Sequence, residues 1–338
     1  MRRLEGALPA SVEFLERAAA ETGFQVEALE KVVRLGELAA DVARHPLLGP
    51  ALALKGGTAL NLCWGSPSRL SVDLDYNVID QPERAAMLEA RPRIEAAVEE
   101  LGRRHAYLVQ KSPDTFAGRK MFLRFTSVFG VPDRIEIDLN FIFRSPVGAT
   151  EVRLLWQPGG LDSPLSHVVS FGELCIGKML ALLDRGAPRD AWDVARLPDL
   201  AGASLASGPF RAQFLALSAI LDHPVTKYTR DRLAKRLSER TIREQLLPTL
   251  TAGQAPSASE LVERAWAVVG PLLELTGGEV AFVEAVSRGE FLPGLLGHRA
   301  AADLQGHPAI EWKLRNVRER LRRTVAGRAP ASRRKREV

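Results

Sequence analysis

The stretch LKGGTALNLCWGSPSRLSVDLDYNV, residues Leu54–Val78, ends a short apolar run on two glycines and then places two aspartates on either side of one leucine. Successive side chains of a β-strand alternate between its faces, so Asp73 and Asp75 share one face with Ser71, whereas Leu74 points to the other. The two aspartates stand about 6.6 Å apart along such a strand. The stretch therefore predicts a strand, a tight glycine turn, a short helix and a second strand with a polar face.

The glycine turn has the composition of a phosphate-binding loop. Gly56 and Gly57 allow the backbone to approach a bulky anion, and Thr58 is placed to cap the short helix whose first N–H groups face that anion. The turn matches neither the Walker loop nor the dinucleotide fingerprint, because it lacks GxxxxGK[ST] and no third glycine opens a long helix. A tight strand-to-helix turn without a ligand explains LysGlyGly as well.

The two aspartates favour a metal site beside this turn. Carboxylate oxygens are the ligands that Mg²⁺ prefers, and Mg²⁺ commonly shares its coordination shell with substrate phosphates. Two ions would need a third carboxylate. The strand RIEIDLNFIF supplies Asp138 on its polar face, while Ile137 and Leu139 point to the core. A partly exposed antiparallel strand shows the same alternation without a function, so the assignment of Asp138 depends on the first motif.

The composition predicts a soluble globular protein. The 338 residues are 46% hydrophobic, which is enough for a sizeable core in one large or two ordinary domains. No apolar run reaches the roughly 18 residues that span a bilayer, and the charged N-terminus lacks the apolar segment of a signal peptide. Cys63 and Cys175 stand far apart and suggest neither a disulfide framework nor a metal-binding pair. We therefore expect no membrane association and a reducing, cytoplasmic location.

Positive charge is concentrated at the C-terminal end. From Lys313 onward, eleven Lys and Arg stand against two Glu, so the rest of the chain is mildly acidic although the whole carries +5. The pattern predicts a basic amphipathic helix followed by a basic end, which would attract a polyanion such as RNA in a salt-dependent manner. A solvated tail without a specific partner fits the composition equally well.

Periodicity divides the chain into helical and strand-rich parts. Residues 11–46 and the part after residue 170 have the spacing of helices, and the segment between them is rich in strands. One helix interrupts the strands at QPERAAMLEARPRIEAAVEELGRR, where Pro92 is expected to break or kink it. Five strand-like runs are expected: ALAL before the glycines, LSVDLDYNVI, HAYLVQK, MFLRFTSVF and DRIEIDLNFIF.

Two motifs, in order, resemble those of the AbiEii and MenT nucleotidyltransferase toxins of the DNA polymerase β superfamily. The first is GGTAL followed by R-x-S-x-D-L-D, both within the opening stretch. The second is a helix with a lysine, a short loop and the helix start R-D-x-x-D, here LCIGKMLALLDRGAPRDAWDV with Lys178, Asp190 and Asp193. HPAIEWKLRN is similar to the family's C-terminal helix, so the resemblance spans most of residues 48–315.

The resemblance implies an α+β fold, in which a polymerase β-like nucleotidyltransferase domain with a mixed sheet is followed by an all-α C-terminal domain. We expect four segments along the chain. They are N-terminal helices packing on the core at 1–47, the nucleotidyltransferase domain at 48–165, the helical domain at 166–325 and a disordered basic tail at 326–338.

The second motif also follows from helix physics. Ser170 and Glu173 are expected to form a capping box at the start of the helix. Lys178 then lies mid-helix on an apolar element, where an unpaired ammonium is costly unless it meets solvent or an anion such as triphosphate. Asp190 and Asp193, one turn apart, either hold neighbouring cations or assist the attacking hydroxyl. A salt-bridge network between the two helices is the alternative.

These motifs together predict an active site for an NTP substrate and two Mg²⁺ ions. The ions, held by Asp73, Asp75 and Asp138, would orient the triphosphate and make an acceptor hydroxyl more acidic for in-line attack on the α-phosphate. The predicted catalytic residues are Asp73, Asp75, Asp138, Lys178 and Asp190. The predicted nucleotide-binding residues are Lys55, Gly56, Gly57, Thr58, Arg69, Ser71, Lys178 and Asp193.

The resemblance further implies the toxin of a toxin–antitoxin system, which transfers NMP to an RNA, foremost to the 3′ end of tRNA. It implies a cognate winged-helix antitoxin of the AbiEi type, and Ser71 corresponds to a residue that a kinase-like antitoxin phosphorylates in some relatives. Transfer to a protein or small-molecule hydroxyl would use the same residues. A nucleotide- or RNA-binding module without turnover is the non-enzymatic alternative, although three crowded carboxylates give a pure binder little benefit.

Overall fold

A computed structural model describes residues 10–327, with side chains up to residue 323. The predicted basic tail at 326–338 therefore lies almost entirely outside the described residues. The described part contains one seven-stranded sheet with helices packed against it, followed by a helical region.

The sheet is mixed. Its strands are β1 (Leu52–Lys55), β2 (Asp73–Val78), β3 (Leu108–Lys111), β4 (Gly118–Thr126), β5 (Pro132–Asn140), β6 (Glu151–Leu154) and β7 (Leu165–Val168). Their order across the sheet is β3-β4-β5-β2-β1-β7-β6. β2 is parallel to β5 and β1 is parallel to β7, whereas the four other pairings are antiparallel. Each of the five predicted strand runs overlaps with one of β1 to β5.

The alternation predicted for β2 and β5 is present in the burial of their side chains. Leu74 of β2 and Ile137 and Leu139 of β5 are fully buried in the core of the sheet. Asp75 and Asp138, on the other face, are partly exposed. One face of this strand pair therefore builds the core, and the other carries the polar residues.

The sequence prediction missed β6 and β7. Val152, Leu154 and Leu165 on these strands are each more than half exposed, so apolar side chains stand on the solvent side and the usual alternation is reversed. β7 nevertheless matters for the site, because it pairs with β1 at Leu54, just before the glycine turn.

The N-terminal helices pack against the sheet. They are α1 (Val12–Thr22), α2 (Val26–Arg44) and α3 (Leu48–Ala51). Ser11 caps α1 by accepting a hydrogen bond from the N–H of Phe14, and Gly23 ends it in the left-handed conformation. Leu29 and Leu35 of α2 are fully buried in the same core as the strands. The helices predicted within residues 11–46 therefore form and cover the sheet.

The predicted break at Pro92 does not occur. The two helices between the strands are α4 (Gly56–Cys63) and α5 (Arg84–Arg104), and α5 runs continuously through Pro92. The proline removes the helical partner of the Leu88 carbonyl, but Leu88 lies on the exposed side, where water can bond to that carbonyl. Ile94 and Val98 are buried against the sheet, which offsets a proline cost of about 3 kcal/mol.

The C-terminal half is helical, and among the described residues no strand follows Val168. Its helices are α6 (Phe171–Arg185), α7 (Pro188–Ala195), α8 (Leu197–Ala201), α9 (Gly208–Leu217), α10 (Arg230–Arg236), α11 (Glu239–Gln245), α12 (Ala258–Val269), α13 (Gly277–Ser287), α14 (Arg299–Ala302) and α15 (Pro308–Gly327). A second apolar core lies among them. It meets the first core at α6, where Leu174 packs with the sheet and Ile176 with the helices. The predicted domain boundaries stay predictions.

Candidate active site

The glycine turn between β1 and α4 requires glycine at its first position. Gly56 has a φ of 75°, in the left-handed region that side chains disfavour. A methyl group at Gly56 would lie 2.3 Å from Oδ2 of Asp75. The carboxylate of Asp75 therefore lies directly against the backbone of the turn, in space that any side chain at position 56 would occupy.

Thr58 does not cap α4, so that prediction is wrong. The helix begins at Gly56 with Lys55 at the N-cap position, which places Thr58 inside the first turn. Its buried hydroxyl donates instead to the backbone carbonyl of Asp73. Thr58 thus fastens the helix to the strand that carries the two aspartates.

Three donor side chains converge on Gly57. A methyl group there would lie 2.8 Å from Nη2 of Arg69 and from Oγ of Ser71, and 3.5 Å from Nζ of Lys178. The fold thus brings the two predicted motifs together at one point. A hydroxyl, a guanidinium and an ammonium beside a glycine backbone have the chemistry of an anion site.

Asp193 holds two of these cations in place. Its fully buried carboxylate accepts hydrogen bonds from Nε and Nη2 of Arg69 at 2.8 and 2.6 Å and from Asn61 at 3.0 Å. It also lies 2.7 Å from Nζ of Lys178. Burial alone would raise the pKa of Asp193, but Arg69 and Lys178 lower it far below its usual range. The salt-bridge network between the two helices is therefore present, and Asp193 can act on a ligand only through the cations that it positions.

Asp190 is buried in the same way. It accepts hydrogen bonds from Nε and Nη2 of Arg185 at 2.5 and 2.9 Å, and it lies 3.5 Å from Nζ of Lys178. Arg69, Lys178 and Arg185 thus place three positive charges against the two carboxylates of Asp190 and Asp193. Asp75 and Asp184 also act on Arg185, so Lys178 is the cation of this cluster that faces both Gly57 and the cleft. The predicted catalytic role of Asp190 stays a prediction.

The carboxylates lie side by side on the parallel strands β2 and β5. Asp75 pairs in register with Asp138, and Asp73 pairs with Glu136. Lys120 on β4 also pairs with Asp138, and its ammonium hydrogen-bonds to Glu136 and lies 3.7 Å from Asp138. The structure therefore brings the three predicted metal ligands to one polar face beside the glycine turn.

The electrostatics of this face favour a cation. Burial raises the pKa of Asp73, and the charge of Asp75 raises it further. Burial also raises the pKa of Asp138, against the opposing effect of Lys55 and Lys120. Among the described residues, no three His, Cys, Asp or Glu side chains stand close enough together to form a complete metal site. Any metal ion at this face would therefore need further ligands from a substrate.

Some of these groups line a single cleft of about 370 Å³ between the sheet and α6, whereas Asp73, Arg69 and Ser71 do not line it. Lys55, Asp75 and Asp138 form its strand side, and Lys178 and Arg185 lie on its α6 side. Sites for small molecules enclose roughly 300–1,000 Å³. The cleft therefore has the size of a small-ligand site. Both of its walls carry charges of both signs, since Lys55 lies among the carboxylates of the strand side, and Glu173 and Asp184 lie beside the cations of α6.

Residues 38–264 match the family model described as nucleotidyl transferase AbiEii toxin, type IV TA system. The match covers more than half of the chain and includes every predicted site residue. The chain belongs to the AbiEii family of nucleotidyltransferase toxins. The predicted enzyme class and the predicted toxin of a toxin–antitoxin system are thereby confirmed. No curated protein matches the chain.

A solved structure has the same fold as this AbiEii-family chain. The nucleotidyltransferase toxin MenT4 from Mycobacterium tuberculosis H37Rv superposes on it with a TM-score of 0.58 at 20% sequence identity. The superposition covers 90% of this chain and 98% of MenT4. It confirms the predicted α+β fold, with a mixed sheet followed by a helical region.

Within residues 10–327, no single helix is long and apolar enough to cross a membrane. One pair of helical segments, Ala258–Leu273 and Gly277–Ser287, meets the length and composition requirement together, across a bend of 92°. Leu261 and Phe282 from these segments are buried in the helical core. The cytoplasmic location stays a prediction.

The sequence prediction of the AbiEii site left out five polar residues that line the cleft, namely Asn77, Asn140, Glu173, Asp184 and Arg185. The capping box predicted for Ser170 and Glu173 is only half formed. Ser170 accepts a hydrogen bond from the N–H of Glu173, but the Glu173 carboxylate accepts from the N–H of Val147 at 2.8 Å and from Nδ2 of Asn77 at 3.3 Å. The available signal was the position of Asn77, two residues after Asp75 on the same face of β2.

Glu173 is expected to make stability depend on pH. Burial raises its pKa to about 7, against the opposing effects of the Val147 N–H, Lys55 and Asn77. Since the folded state binds this proton more tightly than the unfolded state does, the contribution is present below about pH 4.5 and is lost as the pH rises through 7. It amounts to about 3 kcal/mol.

The variant Glu173→Gln cannot titrate at this position. Its free energy of unfolding, measured in urea relative to wild type, should therefore increase between about pH 5 and about pH 8. A difference between the two proteins that stays constant across this range would contradict the assignment.

Proposed function

We propose that this protein transfers a nucleoside monophosphate from an NTP to a hydroxyl group of RNA, foremost at the 3′ end of tRNA, and releases pyrophosphate. The observation that carries the proposal is that Lys178, which faces Gly57, lies in one cleft with Asp75 and Asp138 of the carboxylate face on β2 and β5. A magnesium–triphosphate complex has the matching distribution of charge.

The positive site suits the triphosphate. Lys178 forms an ion pair with Asp193, which fixes the position of its ammonium group before a ligand binds. The site therefore needs no reorganisation when a phosphate binds there. Ser71 and the N–H groups of the turn add hydrogen-bond donors to phosphate oxygens. Arg69 contributes its charge while it stays paired with Asp193.

The carboxylate face suits Mg²⁺, and Asp73, Asp75 and Asp138 would hold it. The fit rests on hard oxygen donors in register on neighbouring strands, with raised pKa values for Asp73 and Asp138. Magnesium, when bound, stabilises charge on phosphoryl oxygens and makes an acceptor hydroxyl more acidic. The chain itself fixes the donors, since Thr58 anchors the backbone of Asp73 and Gly56 leaves room for Asp75.

An RNA acceptor is supported by the exposed face of α15. Leu314 and Val317 are buried against the helical core, whereas Arg315, Arg318 and Arg322 are exposed. A row of exposed arginines on a fixed helix attracts the phosphates of an RNA, in a manner that weakens with salt. The choice of tRNA rests on the resemblance of the two sequence motifs alone.

Membership of a toxin family implies an antitoxin. We propose a cognate partner of the winged-helix type, which again rests on the family resemblance. Coexpression with a winged-helix protein of the AbiEi type should relieve growth inhibition by the wild-type toxin, and unrelieved inhibition would contradict this choice of partner.

Transfer of label from each of the four α-³²P nucleoside triphosphates to total RNA and to purified tRNA tests the proposal. Wild type with Mg²⁺ should label a tRNA-sized band, and Asp73→Ala should not. Label on RNA of another size would keep the reaction and change the acceptor. Label on protein alone would support transfer to a protein side chain. No label in any lane would support the alternative of a nucleotide- or RNA-binding module without turnover.

Gly56→Ala is expected to impair transfer by displacing Asp75. Gly65→Ala is the matched control, since Gly65 has nearly the same positive φ of 77° but nothing within 4 Å of an added methyl group. Both variants should lose about 1 kcal/mol of stability from backbone strain. Only Gly56→Ala should lose most of its transfer activity in the labelling assay. Equal activity of the two variants would show that the position of Asp75 does not matter.

A further inference from the structure

The cleft contains a polar atom that the described residues leave without a partner. Asn77 is 2% exposed and lines the cleft, and its Nδ2 donates to Glu173. Its Oδ1 is buried and accepts no hydrogen bond. Buried carbonyl oxygens in folded proteins are nearly always paired, because an unpaired one is costly. The orphaned oxygen therefore points to a ligand that donates a hydrogen bond.

Glu173 adds acceptors at the same place. It is 8% exposed and lines the cleft, and each of its carboxylate oxygens takes one donor, from Val147 or from Asn77. Above about pH 7 the Glu173 carboxylate is ionised, and each of its oxygens has a second lone pair, so both can accept one further hydrogen bond. Asn77 and Glu173, both at the wall of the cleft, thus have acceptor atoms with unused hydrogen-bonding capacity.

These acceptors lie next to the phosphate site, one on the β2 wall and one on the α6 wall of the cleft. Asn77 follows Asp75 by about 6.6 Å along β2. Glu173 precedes Lys178 by five residues, or about 7.5 Å along α6. Phe143 also lines the cleft and supplies apolar surface. A magnesium–triphosphate complex, with the phosphates at Lys178 and the ion at Asp75, would therefore place its nucleoside within reach of Asn77 and Glu173.

We infer that Asn77 and Glu173 bind the nucleoside half of the NTP, by accepting a hydrogen bond from a ribose hydroxyl or from an exocyclic amine of the base. The inference rests on the proposed function, which places the phosphates of the NTP at Lys178 and their magnesium ion at Asp75. It assigns the selection of the nucleotide to two residues outside the metal and phosphate sites.

Equilibrium binding separates this role from the phosphate site. The dissociation constants of the four NTPs and of inorganic tripolyphosphate, each with Mg²⁺, are to be measured for wild type, Glu173→Gln and Asn77→Ala. In Glu173→Gln, an amide nitrogen replaces one carboxylate oxygen and can donate to Oδ1 of Asn77. The variant therefore has fewer acceptors for a ligand, although the side chain keeps its volume. Thermal unfolding of each variant shows that it is folded, and Glu173→Gln decides the result if Asn77→Ala does not fold.

Ser166→Ala is the matched control. It removes the Oγ atom that is the other buried side-chain atom without a hydrogen-bond partner among the described residues, and Ser166 does not line the cleft. Wild type and this control should bind at least one NTP more tightly than tripolyphosphate. The margin is the dissociation constant of tripolyphosphate divided by that of the NTP. It should fall about tenfold in Glu173→Gln and Asn77→Ala, while the affinity for tripolyphosphate stays unchanged.

The donor group is identified by analogues. A margin lost with 2′-deoxy or 3′-deoxy NTPs assigns the ribose, and a margin that distinguishes CTP from UTP or ATP from ITP assigns the amine; both support the inference. A margin that is absent in wild type, or that survives in both variants, overturns it. Labelling of RNA tests the proposed function separately. If wild type transfers label to RNA and both variants keep the margin, the inference is wrong and the proposed function stands.

Discussion

Replacement of Asp138 by Asn is expected to lower nucleotidyl transfer by about 10³-fold or more, because loss of a ligand forfeits several kcal/mol of charge stabilisation and each 1.4 kcal/mol is worth a factor of ten. The same change should make the fold more stable at neutral pH. Burial raises the pKa of Asp138 despite Lys55 and Lys120, so the ionised form destabilises the folded state. Stability is therefore lost as the pH rises through the raised pKa, and Asn at this position avoids that loss.

Glu136→Gln provides the control for this prediction. Glu136 lies two residues earlier on the same face of β5 and hydrogen-bonds to Lys120, but it is not a predicted metal ligand. Rates of label transfer and urea unfolding at pH 7 should show an inactive, more stable Asp138→Asn beside a Glu136→Gln that keeps most of its activity. Comparable activity losses in both variants would mean that charge at this face matters and the identity of Asp138 does not.

The sequence revealed the parts of the site that depend on local pattern. The alternation around Asp73 and Asp75 is visible because Leu74 must face the core, and the glycine pair is visible because no other residue fits at Gly56. The pairing of Asp75 with Asp138 depends on strand register between segments more than sixty residues apart. Spacing along the chain carries no such information.

The two errors in the site concern which partner a polar side chain chooses. Glu173 stands where a capping box predicts a bond to the start of α6, yet its carboxylate bonds to Val147 and Asn77 across the cleft. Thr58 stands near a helix start, yet its hydroxyl bonds to the backbone of Asp73. In both cases a tertiary acceptor or donor competes with the local one, and only the folded arrangement decides between them.

Asp193→Ala is expected to destabilise the protein by about 3–5 kcal/mol, since it leaves the buried Arg69 and Lys178 without their main counter-charge. Transfer should be lost as well, because the two cations no longer face Gly57. Glu244→Ala serves as the control. It breaks an exposed pair with Arg240 and should cost about 0.5 kcal/mol or less.

A second substitution separates folding from function in this network. The double variant Arg69→Met, Asp193→Leu removes the buried guanidinium together with its counter-charge, and it should recover part of the stability that Asp193→Ala loses. It should not recover transfer, because the guanidinium is gone and Lys178 has lost its nearest carboxylate. Urea unfolding and label transfer on the same preparations decide the matter. Recovery of both properties would show that the Arg69–Asp193 pair has only a structural role, and the positive site at Gly57 would then rest on Lys178, Ser71 and the backbone.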